Sequence, residues 1–233
     1  MRLGKYSFTN LWEFLHIYLS VFCLGEYKFT ARKRNPIVID GGAHIGISAI
    51  FFNKLYPDAK VIAIEPDPRN VKLMETNIRR QNVSGILIEQ SALSHNNAPV
   101  SLYRYSWSWS NSIIKEVWGD KDRPTDAIKV PSILLSNLIS EEISLLKLDI
   151  EGAEYEVLNE AKDKLSLVNE IIMEFHKTPN NPQNDIHKTI NLLVSAGYST
   201  LKISHSFRCG RKVNIKDINK LPPSCQLIIH AKR

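Results

Sequence analysis

The first residues that could do chemistry form a glycine turn directly after a predicted buried strand. Residues 38–46 read VIDGGAHIG. Gly42 lets the backbone turn sharply, and the small residues Gly42, Ala43 and Gly46 let a ligand approach the main chain. The predicted helix beyond them offers free N–H groups and the positive end of its dipole. This pattern is typical of a cofactor-binding turn in an α/β fold.

Two acidic residues accompany this turn. Glu65 ends the next predicted strand, nineteen residues beyond Gly46, where a carboxylate can accept hydrogen bonds from ribose hydroxyls. Asp40, at the end of the first strand, suits a ligand with a positive amino group better than a pyrophosphate. His44 stands where a dinucleotide fingerprint would have its middle glycine. These residues favour S-adenosylmethionine as the cofactor over NAD.

Three carboxylates lie close together in residues 145–154, which read LLKLDIEGAE. Asp149 ends an apolar strand, so we expect it to face the cleft at the carboxyl edge of the sheet, where open α/β sheets bind ligands. Glu151 is a candidate substrate contact. Glu154 is either a further carboxylate of this site or an acidic residue that stabilises the start of the next helix, and the sequence favours neither interpretation.

A third polar motif, Glu174-Phe175-His176, ends the next predicted strand and would lie beside Asp149 in a parallel sheet. His176 could take a proton from a substrate hydroxyl, because imidazole titrates near neutrality. The alternative is a polar residue that merely ends the strand. Asp149, Glu174 and His176 are therefore the candidate catalytic residues. They could also hold a divalent ion that acidifies a hydroxyl, but their spacing does not favour a metal site.

Residues 104–127 are rich in tryptophan and serine and show little helical periodicity. Trp107 and Trp109 point to one side if the chain is extended, and Trp118 lies further along the segment. These rings could stack on a sugar or a base, close the cofactor pocket as a lid, or simply bury the loop in an aromatic patch. Asn111 and Ser112 beside them are candidate cofactor or substrate contacts.

Successive blocks of the sequence resemble the FkbM-type methyltransferases. These blocks are VIDGGAHIGISAIFF, IEPDPRNVKLMETNI, QSALS, LLKLDIEGAEYEVL and IIMEFH, in order over residues 36–177, and KLDIEGAE is the most specific of them. The resemblance implies a class I methyltransferase fold, S-adenosylmethionine as methyl donor, and usually transfer to a hydroxyl on a sugar or natural product. It covers residues 1–35 and 178–233 poorly, so we expect substrate choice to depend on them.

The resemblance also implies a role for each matched position. Asp40, Gly42, Ala43 and Gly46 would line the methionine end of the cofactor; Glu65 would hold the ribose, flanked by Pro66 and Asp67; Ser91 and Ala92 would lie by the adenine; Asp149 would face the transferred methyl. The sequence departs from the family pattern at Gly41 and His44. Neither departure blocks cofactor binding.

The elements that must position these residues alternate between short β-rich segments and helical patterns from Pro36 onward. This alternation predicts a doubly wound, mostly parallel seven-stranded sheet in a Rossmann-like α/β fold. The predicted strands cover residues 37–40, 60–64, 86–89, 144–150, 168–175, 199–203 and 226–230, with 100–103 as a candidate addition and the last two as an antiparallel pair at the sheet edge. The predicted helices cover residues 47–55, 68–80, 132–139, 153–161 and 185–196.

Residues 1–35 are predicted to form a helical extension of a methyltransferase domain that covers residues 36–233. The apolar stretch 11–24 is interrupted by Glu13 and His16 and is shorter than the roughly 20 apolar residues that a membrane-spanning helix needs. We interpret it as an amphipathic helix packed on the domain, with peripheral membrane contact as the alternative.

The charge of the 233-residue chain, +6 in total, is concentrated at its ends. Residues 1–36 carry six basic and two acidic side chains, a net charge of +4, and residues 201–233 carry eight basic and one acidic side chain, a net charge of +7. Residues 37–200 therefore have a net charge of −5. Basic ends leave an RNA methyltransferase as the second hypothesis and a non-catalytic nucleotide-binding domain as the third. The three cysteines form no C-x-x-C pair, which fits reduced thiols and a cytoplasmic protein.

Overall fold

The computed structural model describes residues 1–115, 117, 123–206 and 212–233, so Trp118 lies outside the described residues. The strands are β1 (Arg2–Leu3), β2 (Tyr6–Ser7), β3 (Ile37–Gly41), β4 (Lys60–Ile64), β5 (Ile86–Glu89), β6 (Ala92–Leu93), β7 (Val100–Arg104), β8 (Asp126–Val130), β9 (Ser132–Ile133), β10 (Leu145–Leu148), β11 (Glu170–Lys177), β12 (Thr200–His205), β13 (Lys212–Val213) and β14 (Cys225–Lys232). The α-helices are α1 (Leu11–Tyr18), α2 (Ile47–Leu55), α3 (Pro68–Gln81), α4 (Leu135–Leu138), α5 (Glu154–Glu160) and α6 (Ile186–Ser195). A π-helical turn, Leu19–Cys23, continues α1, and 3₁₀ helices cover Ser108–Ser110, Lys162–Leu167 and Ile215–Lys220.

Eight strands of the described chain form one central sheet in the order β13-β12-β14-β11-β10-β3-β4-β5. The strands from β11 to β5 are parallel, whereas β14 is inserted antiparallel between β11 and β12. The seven predicted strands are all present, and the two-residue strand β13 adds an eighth at the edge. The predicted doubly wound α/β fold is confirmed. The last two strands pair as expected, but β14 lies inside the sheet.

Two hydrophobic clusters cover the two faces of this sheet. Val38 and Ile39 are neighbours in β3 and are both fully buried, yet they belong to opposite clusters, because successive strand residues point to opposite faces. Helices α2 and α3 pack on the Val38 side, and α4, α5 and α6 pack on the Ile39 side. Burial on both faces explains why the central strands read as continuous apolar runs.

The structure differs from the prediction between β5 and β10. The helix predicted for residues 132–139 is wrong in its first part, because Ser132–Ile133 forms a strand that pairs with Ala92–Leu93. The backbone oxygens of Pro131 and Ile133 accept hydrogen bonds from the β6 region, and this tertiary pairing outweighs the local helical pattern. The segment 104–127 is the connection between β7 and β8, which pair antiparallel.

The N-terminal residues pack into the same hydrophobic cluster as α2 and α3. Phe8 stacks on Phe14 of α1 with ring centroids 4.7 Å apart, and Phe14 is buried. Asn77 of α3 fixes β2 by donating to the oxygen of Ser7 and accepting from its N–H, at 3.0 and 2.7 Å. No helix within the described ranges is both long and apolar enough to cross a bilayer.

Candidate active site

A cleft lies at the carboxyl ends of the parallel strands, next to the point between β3 and β10 where the strand order reverses. Open α/β sheets bind their ligands at such a point. The predicted site residues that line the cleft are Gly42, Ala43, His44, Glu65, Pro66, Ser91, Ala92, Trp109, Asn111, Asp149, Glu151 and Glu174. Those that do not line it are Asp40, Gly46, Asp67, Trp107, Ser112 and His176.

Internal packing determines the glycine turn. Gly42 has a φ of +75°, and a Cβ atom there would lie 1.8 Å from the carbonyl oxygen of Asp149, so no side chain fits. Gly46 has a φ of +85° and directly precedes α2, where a Cβ atom would lie 2.7 Å from Cγ of Met74. Gly46 therefore serves the packing of α2 on α3 and does not line the cleft, and its contact with the cofactor stays a prediction.

Glu65 anchors the turn from the end of β4. Its carboxylate accepts hydrogen bonds from the N–H groups of His44 and Asp67, at 3.0 and 2.9 Å, and from Nδ2 of Asn70 at 3.2 Å. His44 has a φ of +51°, a conformation that non-glycine residues rarely adopt, and the bond to Glu65 stabilises it. Burial raises the pKa of Glu65 to about 7. A carboxylate has about four acceptor sites, so Glu65 retains capacity for a ligand hydroxyl.

Asp67 joins parts of the fold and does not reach the cleft. It caps α3 by accepting from the N–H of Arg69 at 2.9 Å, and it forms a buried ion pair with Arg104 of β7 at 3.0 Å. Nδ2 of Asn111 donates to the same carboxylate at 3.1 Å. Because these groups occupy its oxygens, the structure favours a structural role for Asp67, and its contact with the cofactor stays a prediction.

Asp40 lies beneath the glycine turn. It is fully buried, accepts a hydrogen bond from Oγ of Ser48 at 2.6 Å, and pairs with Nζ of Lys147 at 3.2 Å. Lys147 also donates to the carbonyl oxygens of Gly41 and Gly42, at 3.0 and 2.7 Å. Lys147 therefore neutralises Asp40 and holds the turn against β10. Because Asp40 does not line the cleft, these contacts favour a structural role, and its contact with the amino group of the cofactor stays a prediction.

Several carboxylates converge on the cleft near the ends of β10 and β11. They are Glu26, Asp149, Glu151 and Glu174. Tyr27 donates to Oδ2 of Asp149 at 3.3 Å, and Ser206 donates to Oε1 of Glu174 at 2.9 Å. Burial, assisted by the charge of Asp149, raises the pKa of Glu26 to about 6 and that of Glu174 to about 8. The cleft therefore has groups that can exchange protons near neutral pH.

His176 lies behind these carboxylates and is only 1% exposed. Its Nδ1 lies 3.0 Å from Oε1 of Glu154, and its Nε2 lies 3.4 Å from Oε2 of Glu151. Burial alone would lower the pKa of His176, but the charges of Glu151 and Glu154 raise it well above its ordinary value. The raised pKa favours the protonated imidazole, and His176 does not line the cleft. Both observations argue against His176 as the general base, so we interpret it as a residue that positions Glu151.

Three of these residues offer a candidate metal centre. Asp149, Glu151 and His176 each place one ligand atom within 4.8 Å of the other two, and carboxylate oxygens and imidazole nitrogens are common ligands of divalent ions. The sequence analysis named Glu174 as a possible third ligand beside Asp149 and His176, whereas the structure brings Glu151 close to these two residues. A metal binds neutral imidazole, so an ion here would first have to displace the proton that the neighbouring carboxylates stabilise on His176.

The N-terminal helix is connected to the tryptophan-rich segment across the cleft. Glu13 is buried and accepts hydrogen bonds from the N–H and Oγ of Ser108, at 2.5 and 3.0 Å. Oγ of Ser108 lies 2.8 Å from Nε2 of His44, and the Trp109 ring contacts His16 edge to face at 5.4 Å. We call Glu13, Ser108 and His44 the clasp. It links α1, residues 108–110 and the glycine turn.

The remaining predicted substrate residues, Trp107 and Ser112, do not line the cleft. Trp107 is 39% exposed and stacks on Trp109 with centroids 5.5 Å apart, outside the cleft lining. Ser112 is buried and donates to the carbonyl oxygen of Glu151 at 2.6 Å. Because the backbone of Glu151 has a φ of +56°, Ser112 stabilises the strained loop that carries Glu151. Its contact with cofactor or substrate stays a prediction.

The sequence analysis expected substrate choice to depend on residues 1–35 but named none of their polar residues as part of the site. His16, Ser20, Glu26 and Tyr27 line the cleft. Nothing in a short amphipathic pattern indicates such contacts. Lys147 was missed despite a usable signal, because a single lysine within an apolar strand requires a buried partner.

The strand order, the glycine turn after β3 and the acidic residue after β4 define a class I methyltransferase. The family described as methyltransferase FkbM domain matches residues 40–200, and the chain belongs to this family. It is an S-adenosylmethionine-dependent methyltransferase.

Similar proteins agree with this assignment. Methyltransferase 1 of Beauveria bassiana is 26% identical over 209 residues, which cover 80% of this chain and 81% of that protein. The 2-O-methyltransferase NoeI of Sinorhizobium fredii is 27% identical over 205 residues, 75% of this chain and 82% of NoeI. The crystal structure of methyltransferase FkbM from Methylobacillus flagellatus has the same fold, with a TM-score of 0.58 at 16% identity. That alignment covers 91% of this chain but only 47% of the other.

Proposed function

We propose that the protein methylates a hydroxyl group of a sugar or another small polar acceptor. The observation that carries this proposal is the carboxylate of Glu174, which lines the cleft close to Asp149 and has its pKa raised to about 8. A hydroxyl loses its proton when it is methylated, and a base works best when its pKa is near the operating pH. The name of the relative NoeI, a 2-O-methyltransferase, supports oxygen as the acceptor atom.

The cleft has polar atoms that suit S-adenosylmethionine. Nδ1 of His44 and Oδ1 of Asp149 are buried and have no hydrogen-bond partner within the described part of the chain. Glu65 would hold the ribose, and Ser91 would lie near the adenine. The cofactor supplies a methyl group activated by a positive sulfonium, and a carboxylate-rich cleft stabilises positive charge.

The residues around Glu174 would hold the acceptor and receive its proton. Ser206 orients the carboxylate by donating to Oε1, which leaves Oε2 to accept the proton of the hydroxyl. The positive charge of His176 lies between Glu151 and Glu154 and reduces the repulsion among the carboxylates. Glu174 would release the proton to water when the methylated product leaves.

A Glu174→Gln variant tests the proposal, because glutamine keeps the size of the side chain and can still accept from Ser206. We expect kcat to fall by about 10²–10⁴-fold, with cofactor affinity nearly unchanged. Glu141→Gln, at an exposed position, is the matched control. The assay follows S-adenosylhomocysteine release with a panel of glycosides, and mass spectrometry locates the new methyl group. A wild-type rate would exclude Glu174 as the base, and a methyl group on nitrogen or carbon would exclude a hydroxyl acceptor.

A further inference from the structure

The exposed apolar side chains of the described surface are concentrated near the N-terminus. Ten large hydrophobic side chains of the described residues are exposed, and six of them belong to residues 1–24. We call these six the apolar ridge: Met1, Leu3, Leu11, Trp12, Leu19 and Leu24. Single exposed apolar residues are ordinary, whereas a cluster of them marks an interaction surface.

The ridge follows one side of the N-terminal helical segment. Trp12 and Leu19 are seven residues apart, so they project from the same side, and they are 72% and 52% exposed. The other side is packed, since Phe14 is buried in the core. The N–H of Phe8 donates to the oxygen of Met1 at 3.1 Å, which brings the β1–β2 hairpin, and with it Met1, close to the start of α1.

Basic side chains accompany the ridge. Arg2 and Lys5 are exposed in the hairpin, and Lys28 is exposed just after Leu24. None of these three cations forms an ion pair with another described residue, whereas Lys33 pairs with Glu142. Residues 1–36 carry a net charge of +4. Exposed tryptophan and leucine beside cations are typical of surfaces that bind anionic lipid headgroups.

We propose that the apolar ridge and its neighbouring cations dock the protein on the surface of an anionic phospholipid bilayer. Trp12 would lie at the headgroup level, where the amphipathic indole ring is stable, and the leucines would enter the acyl boundary. His16 and Ser20 belong to the same helical segment and line the cleft. Docking would therefore bring the cleft next to the lipid headgroups. This proposal does not depend on the identity of the methyl acceptor.

Co-sedimentation of the full chain with vesicles tests the proposal. We expect the wild-type protein to pellet with phosphatidylglycerol-rich vesicles and much less with pure phosphatidylcholine vesicles. Trp12→Ser/Leu19→Ser should weaken binding at least about tenfold, because the apolar area that enters the bilayer is lost. Leu87→Ser/Val194→Ser removes side chains of similar exposure, 57% and 55%, from other surfaces and should bind like the wild type. Arg2→Glu/Lys5→Glu should weaken binding to the anionic vesicles.

Circular dichroism and cofactor titration would verify that the variants are folded. The proposal is overturned if the wild-type protein stays in the supernatant with anionic vesicles, or if the Leu87/Val194 control loses as much binding as the Trp12/Leu19 variant. Light scattering distinguishes membrane binding from binding of a second copy of the chain. If the wild-type protein is a dimer and the Trp12/Leu19 variant is a monomer, the ridge binds a second copy of the chain and not a membrane.

Discussion

At the scale of single residues, the partner of each buried carboxylate decides whether it can reach a ligand. Asp40 is fully buried but is neutralised by Lys147, 3.2 Å away, and it serves the turn. Glu65 is almost as buried and accepts only from N–H groups and an amide, so it keeps acceptor capacity for a ligand in the cleft that it lines. Burial also lowers the pKa of His44 to about 4. The ring beside Glu65 is therefore neutral at physiological pH.

Replacement of Glu65 tests the predicted ribose contact. Hydrogen bonds to charged groups contribute about 1.5–3 kcal/mol, so Glu65→Ala should raise the Kd of S-adenosylmethionine by about 10–100-fold. Isothermal titration measures this effect, and Glu75→Ala on the exposed side of α3 should bind like the wild type. An unchanged Kd would remove Glu65 from the cofactor site. Absence of binding by the wild-type protein would contradict the cofactor assignment itself.

The raised pKa of Glu174 predicts the pH dependence of the reaction. A carboxylate base is active when deprotonated, so kcat should rise with pH until about 8 and then level off. Stability should change in the opposite sense. The native state keeps a proton on Glu174 that the unfolded state loses above about 4.5, so the free energy of unfolding falls as pH rises towards 8. Rate and urea-unfolding profiles measure both effects. A kcat that is independent of pH across this window would argue for another base.

At the scale of secondary-structure elements, the clasp decides how closed the cleft is. Glu13 on α1 accepts from the first turn of the 3₁₀ helix Ser108–Ser110, and Trp109 packs against His16 on the same helix. Burial raises the pKa of Glu13, and its hydrogen bonds with Ser108 oppose this shift. The hydrogen bonds of Glu13 link α1 to residues 108 and 109, which line the cleft, so their loss should loosen this side of the cleft.

Glu13→Ala should free residues 108–110 without unfolding the domain. Loss of hydrogen bonds to a carboxylate, worth about 1.5–3 kcal/mol, should speed amide exchange there by about 10–100-fold. Cofactor dissociation should also accelerate, because residues 108–110, which line the cleft, would move away from α1 more often. Hydrogen-exchange mass spectrometry and stopped-flow fluorescence measure the two rates. Glu141→Ala is the control, and equal exchange at residues 108–110 in both variants would show that the clasp does not hold the segment.

At the scale of the whole molecule, the cleft is acidic although both basic ends of the chain contribute residues to its lining. The cleft lining contains Glu26, Glu65, Asp149, Glu151 and Glu174, while the basic excess belongs to residues 1–36 and 201–233. Those of these carboxylates that are ionised repel phosphate groups. This arrangement argues against RNA as the methyl acceptor, although the basic ends could still attract a polyanion to other surfaces.

We therefore expect added RNA to leave the methylation of a small glycoside unchanged and to receive no methyl group. Any RNA binding should weaken steeply with salt, because phosphate contacts release counterions. Neutralisation of Lys212, Lys216 and Lys220 should weaken it further without a change in kcat. Transfer of a labelled methyl group from S-adenosylmethionine to RNA is the direct measurement. Labelled RNA would reverse the assignment of the acceptor class.

The sequence by itself determined the framework of this protein and the edge of the sheet where the chemistry occurs. Apolar runs of strand length, alternating with amphipathic helices, leave few ways to bury both faces of a parallel sheet. The glycine turn after β3 and Glu65 after β4 were located because each is visible as a local pattern, a strand followed directly by small residues or by an acidic residue. The helix predicted for residues 132–139 was wrong in its first part, because Ser132–Ile133 pairs with a strand about forty residues earlier.

Only the tertiary structure decided which polar residues reach the cleft. Lys147 neutralises Asp40 from 107 positions away, Glu13 binds Ser108 across 95 positions, and His176 is enclosed by Glu151 and Glu154 of the preceding β–α connection. Local patterns cannot reveal these partners, because the folding of the sheet, not the order of residues, sets the distances between them. A buried charge takes the nearest partner in space. For that reason the sequence identified candidate groups, and the three-dimensional contacts assigned their roles.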